Sequence, residues 1–160
     1  KITIKGTKIM REQSGRSLIE IISVLAIGGF MIAASYGIYN SISAKQKRLI
    51  ASETIKDIAT KTKTLLEYSG YTQVSVDFLI ESGVLKDDKA PIGGKGWSVK
   101  SNVDGTEFSI NLVGLSFDEC AYFATKKNDW ATKISINGYS SAESSLCMKT
   151  GDNTISLFTK

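Results

Sequence analysis

Apolar positions along the chain fall into three regimes. From Leu18 to Tyr39 they are almost unbroken, and Glu20 is the one charged residue among them. As a helix this stretch is about 33 Å long, at ~1.5 Å per residue, enough to cross the hydrocarbon core of a bilayer. From Ser41 to Tyr68 the pattern becomes amphipathic. Ile42, Leu49, Ile55, Ile58, Leu65 and Leu66 recur at roughly helical spacing, with Lys45, Lys47, Arg48, Lys56, Lys61 and Lys63 between them. No proline interrupts either stretch, so the pattern predicts a single helix from about Ser17 to Tyr68, roughly 78 Å long.

Beyond Tyr68 the period shortens. Ser75 can cap a short helix over Val76 to Ser82 that stops at Gly83. Pro91 and the run Ile92-Gly93-Gly94-Lys95-Gly96 form a turn-rich link. Residues 97–100 and 107–113 then alternate as strands, joined through Asn102, Asp104 and Gly105 as a hairpin. Ser116 and Glu119 make a capping box for a helix reaching about Lys127. Acids Asp118 and Glu119 at its start and Lys126 and Lys127 at its end suit the helix dipole. Residues 133–138 and 153–159 supply two more strands. The predicted class is α+β, with an antiparallel sheet wrapped on the long N-terminal helix.

Charge narrows the possible roles. The chain carries 20 basic and 16 acidic residues and no histidine. Before Gly15 stand Lys1, Lys5, Lys8 and Arg11 against Glu12 alone, leaving 16 basic and 15 acidic residues in the remainder. Basicity therefore belongs to the leader, as membrane targeting expects, and no specific nucleic-acid partner is predicted. Without histidine, neither a Ser-His-Asp nor a Cys-His arrangement can form. The serine-lysine alternative lacks an S-x-x-K context, and Gly93-Gly94-Lys95-Gly96 lacks P-loop spacing. No catalytic residue is expected. Asp87, Asp88, Asp104 and Asp152 lack the dense spacing of a calcium loop, so no metal or cofactor is expected either.

Cys120 and Cys147 are the only cysteines. Two cysteines without histidine are too few for a zinc site. In an exported domain they read as one disulfide; in a cytosolic one they would be two free buried thiols.

Three readings compete for the apolar run. A secretory signal peptide cleaved after Ala33-Ala34-Ser35 explains the basic leader but gives Glu20 no role. A plain membrane anchor tolerates Glu20 near the interface and gains nothing from it. The third reading is a segment cut just after Gly15, on the cytoplasmic side, so that the apolar helix stays on the mature protein. It gives every piece a role. Five basic residues before the span against Lys45, Lys47 and Arg48 after it favour a cytoplasmic N-terminus. Tyr36 and Tyr39 suit the far interface. The chain begins at Lys1, and Met10 is a possible initiator.

Gly15, a carboxylate five residues on, and then unbroken hydrophobicity resemble the N-terminal signature of type IV pilins and the related pseudopilins of type II secretion. Arg16 stands where an aromatic residue or methionine is usual. More loosely, the remainder resembles class b pilins, including those of conjugative thin pili, in G-W-S-V, F-S-I, G-L-S-F-D-E-C and a late cysteine before a strand.

The resemblance implies a leader over 1–15, an assembly helix over 16–40 and a globular domain over 41–160. It implies cleavage between Gly15 and Arg16 by prepilin peptidase and frequent methylation of the new amine. Glu20 would attract the terminal amine of a neighbouring subunit in the growing fibre. Cys120 and Cys147 would staple the region on the fibre surface. Implied partners are identical or related pilin subunits in a helical fibre, the peptidase, the membrane before assembly, and an inner-membrane platform with its ATPase. The domain would face the periplasm before assembly and the cell exterior after it, serving adhesion, motility, conjugation or DNA uptake. A pseudopilin and a secreted or membrane-anchored binding domain are the alternatives.

Overall fold

The computed structural model describes residues 13–160, with side chains from Leu18 onward. The leader positions 1–12, including the possible initiator Met10, lie outside the described residues. The chain forms two compact units, Lys1–Ala44 and Lys45–Lys160. Helix α1, Gln13–Leu66, contributes to both.

In the second unit α1 is followed by α2 (Val76–Glu81), β1 (Ser98–Ser101), β2 (Phe108–Leu115), α3 (Phe117–Thr125), β3 (Lys133–Ile136) and β4 (Asn153–Thr159). The strands form one antiparallel sheet in the order β1-β2-β4-β3. The class is α+β, a long N-terminal helix packed against a four-stranded antiparallel sheet.

Burial along β2 and β4 alternates, as a sheet with one covered face requires. Phe108, Ile110, Leu112 and Leu115 face inward with Ile155 and Leu157, while Ser109, Asn111 and Ser156 face out. Against that face α1 places Ala51, Ile55, Ile58, Thr62 and Leu66, with Ala59 beside them. Their spacing of three or four residues draws one stripe down the helix. The stripe differs from the one expected from large apolar residues alone. Leu49 and Leu65 are 53% and 51% exposed, whereas the small residues Ala51 and Ala59 are buried. The buried phase therefore follows the small residues as well as the large ones.

Two local contacts give the turn-rich link a packing role. Gly114 sits where the β2–β4 register shifts between Leu112 and Leu115, at φ 78°. A Cβ there would come within 2.3 Å of the Gly93 carbonyl oxygen, and one on Gly93 within 2.5 Å of the Val113 oxygen. The two backbones touch, and only glycine fits at both places.

Helix α3 opens on the expected capping box, with the Ser116 hydroxyl accepting from Glu119 N–H and the Glu119 carboxylate accepting from Ser116 N–H. It ends at Thr125, two residues short of the expectation. Lys126 is its C-cap, the backbone N–H donating to the Tyr122 carbonyl. Its ammonium reaches across to donate to the Ser52 hydroxyl on α1.

A buried polar hub closes the other end of the sheet. Asn153 is fully buried, the first residue of β4. Its Oδ1 accepts from Met148 N–H at 2.6 Å and from Asn137 Nδ2 at 2.9 Å. Its Nδ2 donates to the carbonyls of Leu115 at 3.1 Å and Met148 at 3.0 Å. One side chain thus joins β2, β4, the turn after β3 and the loop before β4. Asn153→Ala strands several buried partners at once, so it is expected to cost about 3 kcal/mol of stability, read from urea unfolding. Asn111→Ala, on the outer face, is the reference and should cost less than about 1 kcal/mol.

Candidate functional site

Within the first unit every large apolar side chain described is exposed in the isolated chain, Phe30 and Ile32 at 77% and 73%. The mean hydropathy of its most apolar 18-residue window is 2.1, and α1 is the one helix among the described residues long and apolar enough to cross a membrane. Two of its serine hydroxyls bond within the helix. Ser23 donates to the Ile19 carbonyl at 2.8 Å and Ser35 to that of Met31 at 2.7 Å, which suits a helix immersed in hydrocarbon. A helix apolar on all sides is stable only in lipid or among other helices.

Glu20 is the only charged residue between Leu18 and Ala44. It lies about two turns into α1, exposed among Ile19, Ile21 and Ile22. Among the described side chains no cation stands within ion-pair distance of it. A carboxylate in mid-span costs about 3 kcal/mol on insertion scales, and its position near the helix end reduces that figure. Gly15 and Arg16 fall in the first turn of α1; the Arg16 side chain lies outside the described residues.

Gly28, Gly29 and Gly37 have no steric reason within one chain. A Cβ added to any of them meets nothing within 4 Å, and none has a positive φ. Each weakens the helix by about 1 kcal/mol relative to alanine.

The other predicted site residues belong to the second unit. Cys120, fourth residue of α3, is bonded to Cys147, which follows a 3-10 turn at Ser144–Leu146. Their Cα atoms are 5.9 Å apart and both are buried. The bond ties α3 to the loop that Asn153 holds from its other side.

Two shallow grooves flank Trp130, of about 470 and 530 Å³. The larger holds the Ser52–Lys126 contact, a serine hydroxyl beside an ammonium. Ser52 stands in mid-helix, where neighbouring backbone N–H groups are spent on the helical ladder. Among the described residues there is no group of three or more histidine, cysteine or carboxylate side chains arranged for a metal.

Sequence reasoning identified the cysteine pair and the apolar helix, and missed Asn153, Asn137 and the Gly93–Gly114 contact. A buried asparagine at a strand start gives no signal in polarity patterns. The Asn137-Gly138 pair did carry one, as a two-residue hairpin turn.

No protein-family model matches this sequence, and no curated protein matches it. The fold does have a solved counterpart. The crystal structure of TcpA, a type IV pilin from Vibrio cholerae El Tor biotype, aligns with a TM-score of 0.57 at 14% identity. The alignment covers 72% of this chain and 99% of that one.

Reducing Cys120–Cys147 opens a loop with a sequence separation of 27. Loop entropy predicts a loss of about 3.5 kcal/mol, read as a lowered urea midpoint with native far-ultraviolet dichroism retained before the transition. An unchanged midpoint would show that Asn153 and the core alone hold this loop.

Proposed function

We propose that this chain, which has the fold of a type IV pilin, is a fibre subunit that polymerises through the apolar half of α1. One observation carries the reading: a fully exposed apolar helix whose single charge, Glu20, has no counter-charge among the described side chains. A helix of this kind is built to be covered by others of its kind, and an isolated acid in it calls for a cation supplied by a neighbour.

The neighbour's cation is the α-amino group of Arg16, released when prepilin peptidase cuts after Gly15. The domain plan that follows is a leader over 1–15, an assembly helix over 16–40 and a globular domain over 41–160. Before assembly the helix rests in the inner membrane with the domain in the periplasm; afterwards it lies in an extracellular fibre. Pairing of Glu20 with the incoming amine sets axial register, because both charges are costly when left alone in low dielectric. Gly28, Gly29 and Gly37 support the same reading, since they leave room for close helix approach that one chain does not use. A platform with its ATPase would supply the work of extraction from the membrane.

Mass spectrometry of the mature N-terminus, from a host carrying prepilin peptidase, is expected to find Arg16 first. An intact leader, or a start after Ser35, overturns the proposal. Glu20→Ala is expected to be processed and inserted yet to yield at least about tenfold fewer fibres, counted by electron microscopy, for a lost coupling of ~1.4 kcal/mol or more. Wild-type fibre numbers from that variant would remove Glu20 from assembly.

A further inference from the structure

Asn137-Gly138 is the only asparagine-glycine pair in the chain. It forms the two central residues of a tight hairpin after β3. Ile136 and Tyr139 exchange two backbone hydrogen bonds of 2.9 Å each, and the φ angles between them are 50° and 87°. Two positive φ angles are the type I′ pattern, which explains the choice of residues.

The same pair is chemically labile. Glycine has no side chain to shield its nitrogen, so the Gly138 nitrogen can attack Cγ of Asn137. A bond forms between that nitrogen and Cγ, and the Cγ–Nδ2 bond breaks. The amide nitrogen departs as ammonia, taking up the proton lost from the Gly138 nitrogen. Water then adds to one carbonyl of the resulting cyclic imide, and the ring opens to aspartate or isoaspartate.

Attack requires the Asn137 amide to swing free towards the following nitrogen. In the fold it is held by both ends. Its Nδ2 donates to the Leu146 carbonyl at 2.8 Å and to Asn153 Oδ1 at 2.9 Å. Its Oδ1 accepts from Thr154 N–H at 2.8 Å, and its own backbone N–H donates to the Thr154 carbonyl at 2.8 Å. Two of these partners depend on the stapled loop. Leu146 immediately precedes Cys147, and Asn153 is bonded to both backbone groups of Met148, the residue after it.

We infer that Asn137 is a deamidation site held closed by this network and opened when an external dithiol exchanges with the Cys120–Cys147 disulfide, leaving two thiols on the chain and a disulfide on the reductant, an exchange whose reversal reforms the bond. Release of the loop frees the Leu146 carbonyl and loosens Asn153, and the amide of Asn137 gains the freedom that cyclisation needs. The product cannot go back. An aspartate at this position has no donor: one oxygen keeps the Thr154 N–H, but the one replacing Nδ2 would face the Leu146 carbonyl and Asn153 Oδ1, both of them acceptors. The loop then fails to re-dock after the disulfide reforms, so the chain keeps a permanent mark of having been reduced. This inference stands apart from the assembly reading.

The test uses the full chain in detergent micelles, either oxidised or reduced with its thiols alkylated, incubated in mildly alkaline buffer. The tryptic fragment 134–149 is then quantified for asparagine, aspartate and isoaspartate at position 137, with a synthetic peptide of the same residues as reference. The oxidised chain is expected to convert at least about tenfold more slowly than the peptide, and the reduced chain within about threefold of it, while β2 and β4 amides stay protected from exchange. Equal rates in the oxidised chain and the peptide overturn the lock. A reduced chain as slow as the oxidised one overturns the disulfide's part in it. Acceleration that appears only with loss of β2 and β4 protection overturns local opening in favour of global unfolding. Asn137→Asp with the disulfide intact is expected to speed amide exchange across residues 139–147, and unchanged exchange there overturns the permanent mark.

Discussion

One helix has to satisfy two environments, and most of the architecture follows from that. Along Ala51, Ile55, Ile58, Thr62 and Leu66, α1 presents a stripe that the sheet covers within the same chain. Between Leu18 and Tyr39 it presents apolar side chains in every direction. The backbone ladder is the same in both stretches, so only side-chain polarity separates them. In the second stretch lysines and threonines occupy the free faces, and Thr54, Thr60 and Thr64 turn their hydroxyls onto carbonyls one turn back. The first stretch has no such faces. Its stability is set by whatever surrounds the molecule.

In the second unit the hydrophobic core is supplemented at one end by polar chemistry. Fully buried Asn153 does the work of several backbone contacts, tying the strand β2, the hairpin turn at Asn137 and the loop at Met148 into β4. A covalent bond from α3 enters the same loop at Cys147. Disulfide and hub hold one segment from two sides. By contrast the surface ion pairs contribute little. Arg48 and Asp118 are 3.9 Å apart with the carboxylate largely exposed, and Lys95 with Asp152 and Lys127 with Asp129 are open to solvent.

How much of this could be read beforehand depended on the kind of signal. The strands at 153–159 and 108–115 were legible because alternation is a local property, and the Ser116–Glu119 box because a cap needs only four residues. The apolar run and its lone acid were legible from composition. The buried stripe of α1 was not, since large residues such as Leu49 and Leu65 suggested a phase that Ala51 and Ala59 decide. Lys126 is legible as a helix-end residue, but no local pattern shows that its ammonium would reach Ser52, 74 positions away. The Asn153 hub and the Gly93–Gly114 touch are likewise products of tertiary approach. Each needs two or more distant segments to meet before its residues make sense.

The three glycines of the apolar stretch carry a consequence for variation. A methyl group at Gly28, Gly29 or Gly37 collides with nothing in a lone molecule. A single copy therefore cannot sense such a change, except as a slightly stiffer backbone. If the helix is packed among others in a fibre, as proposed, tolerance at these positions is decided by company, and a defect there would surface only in a crowd.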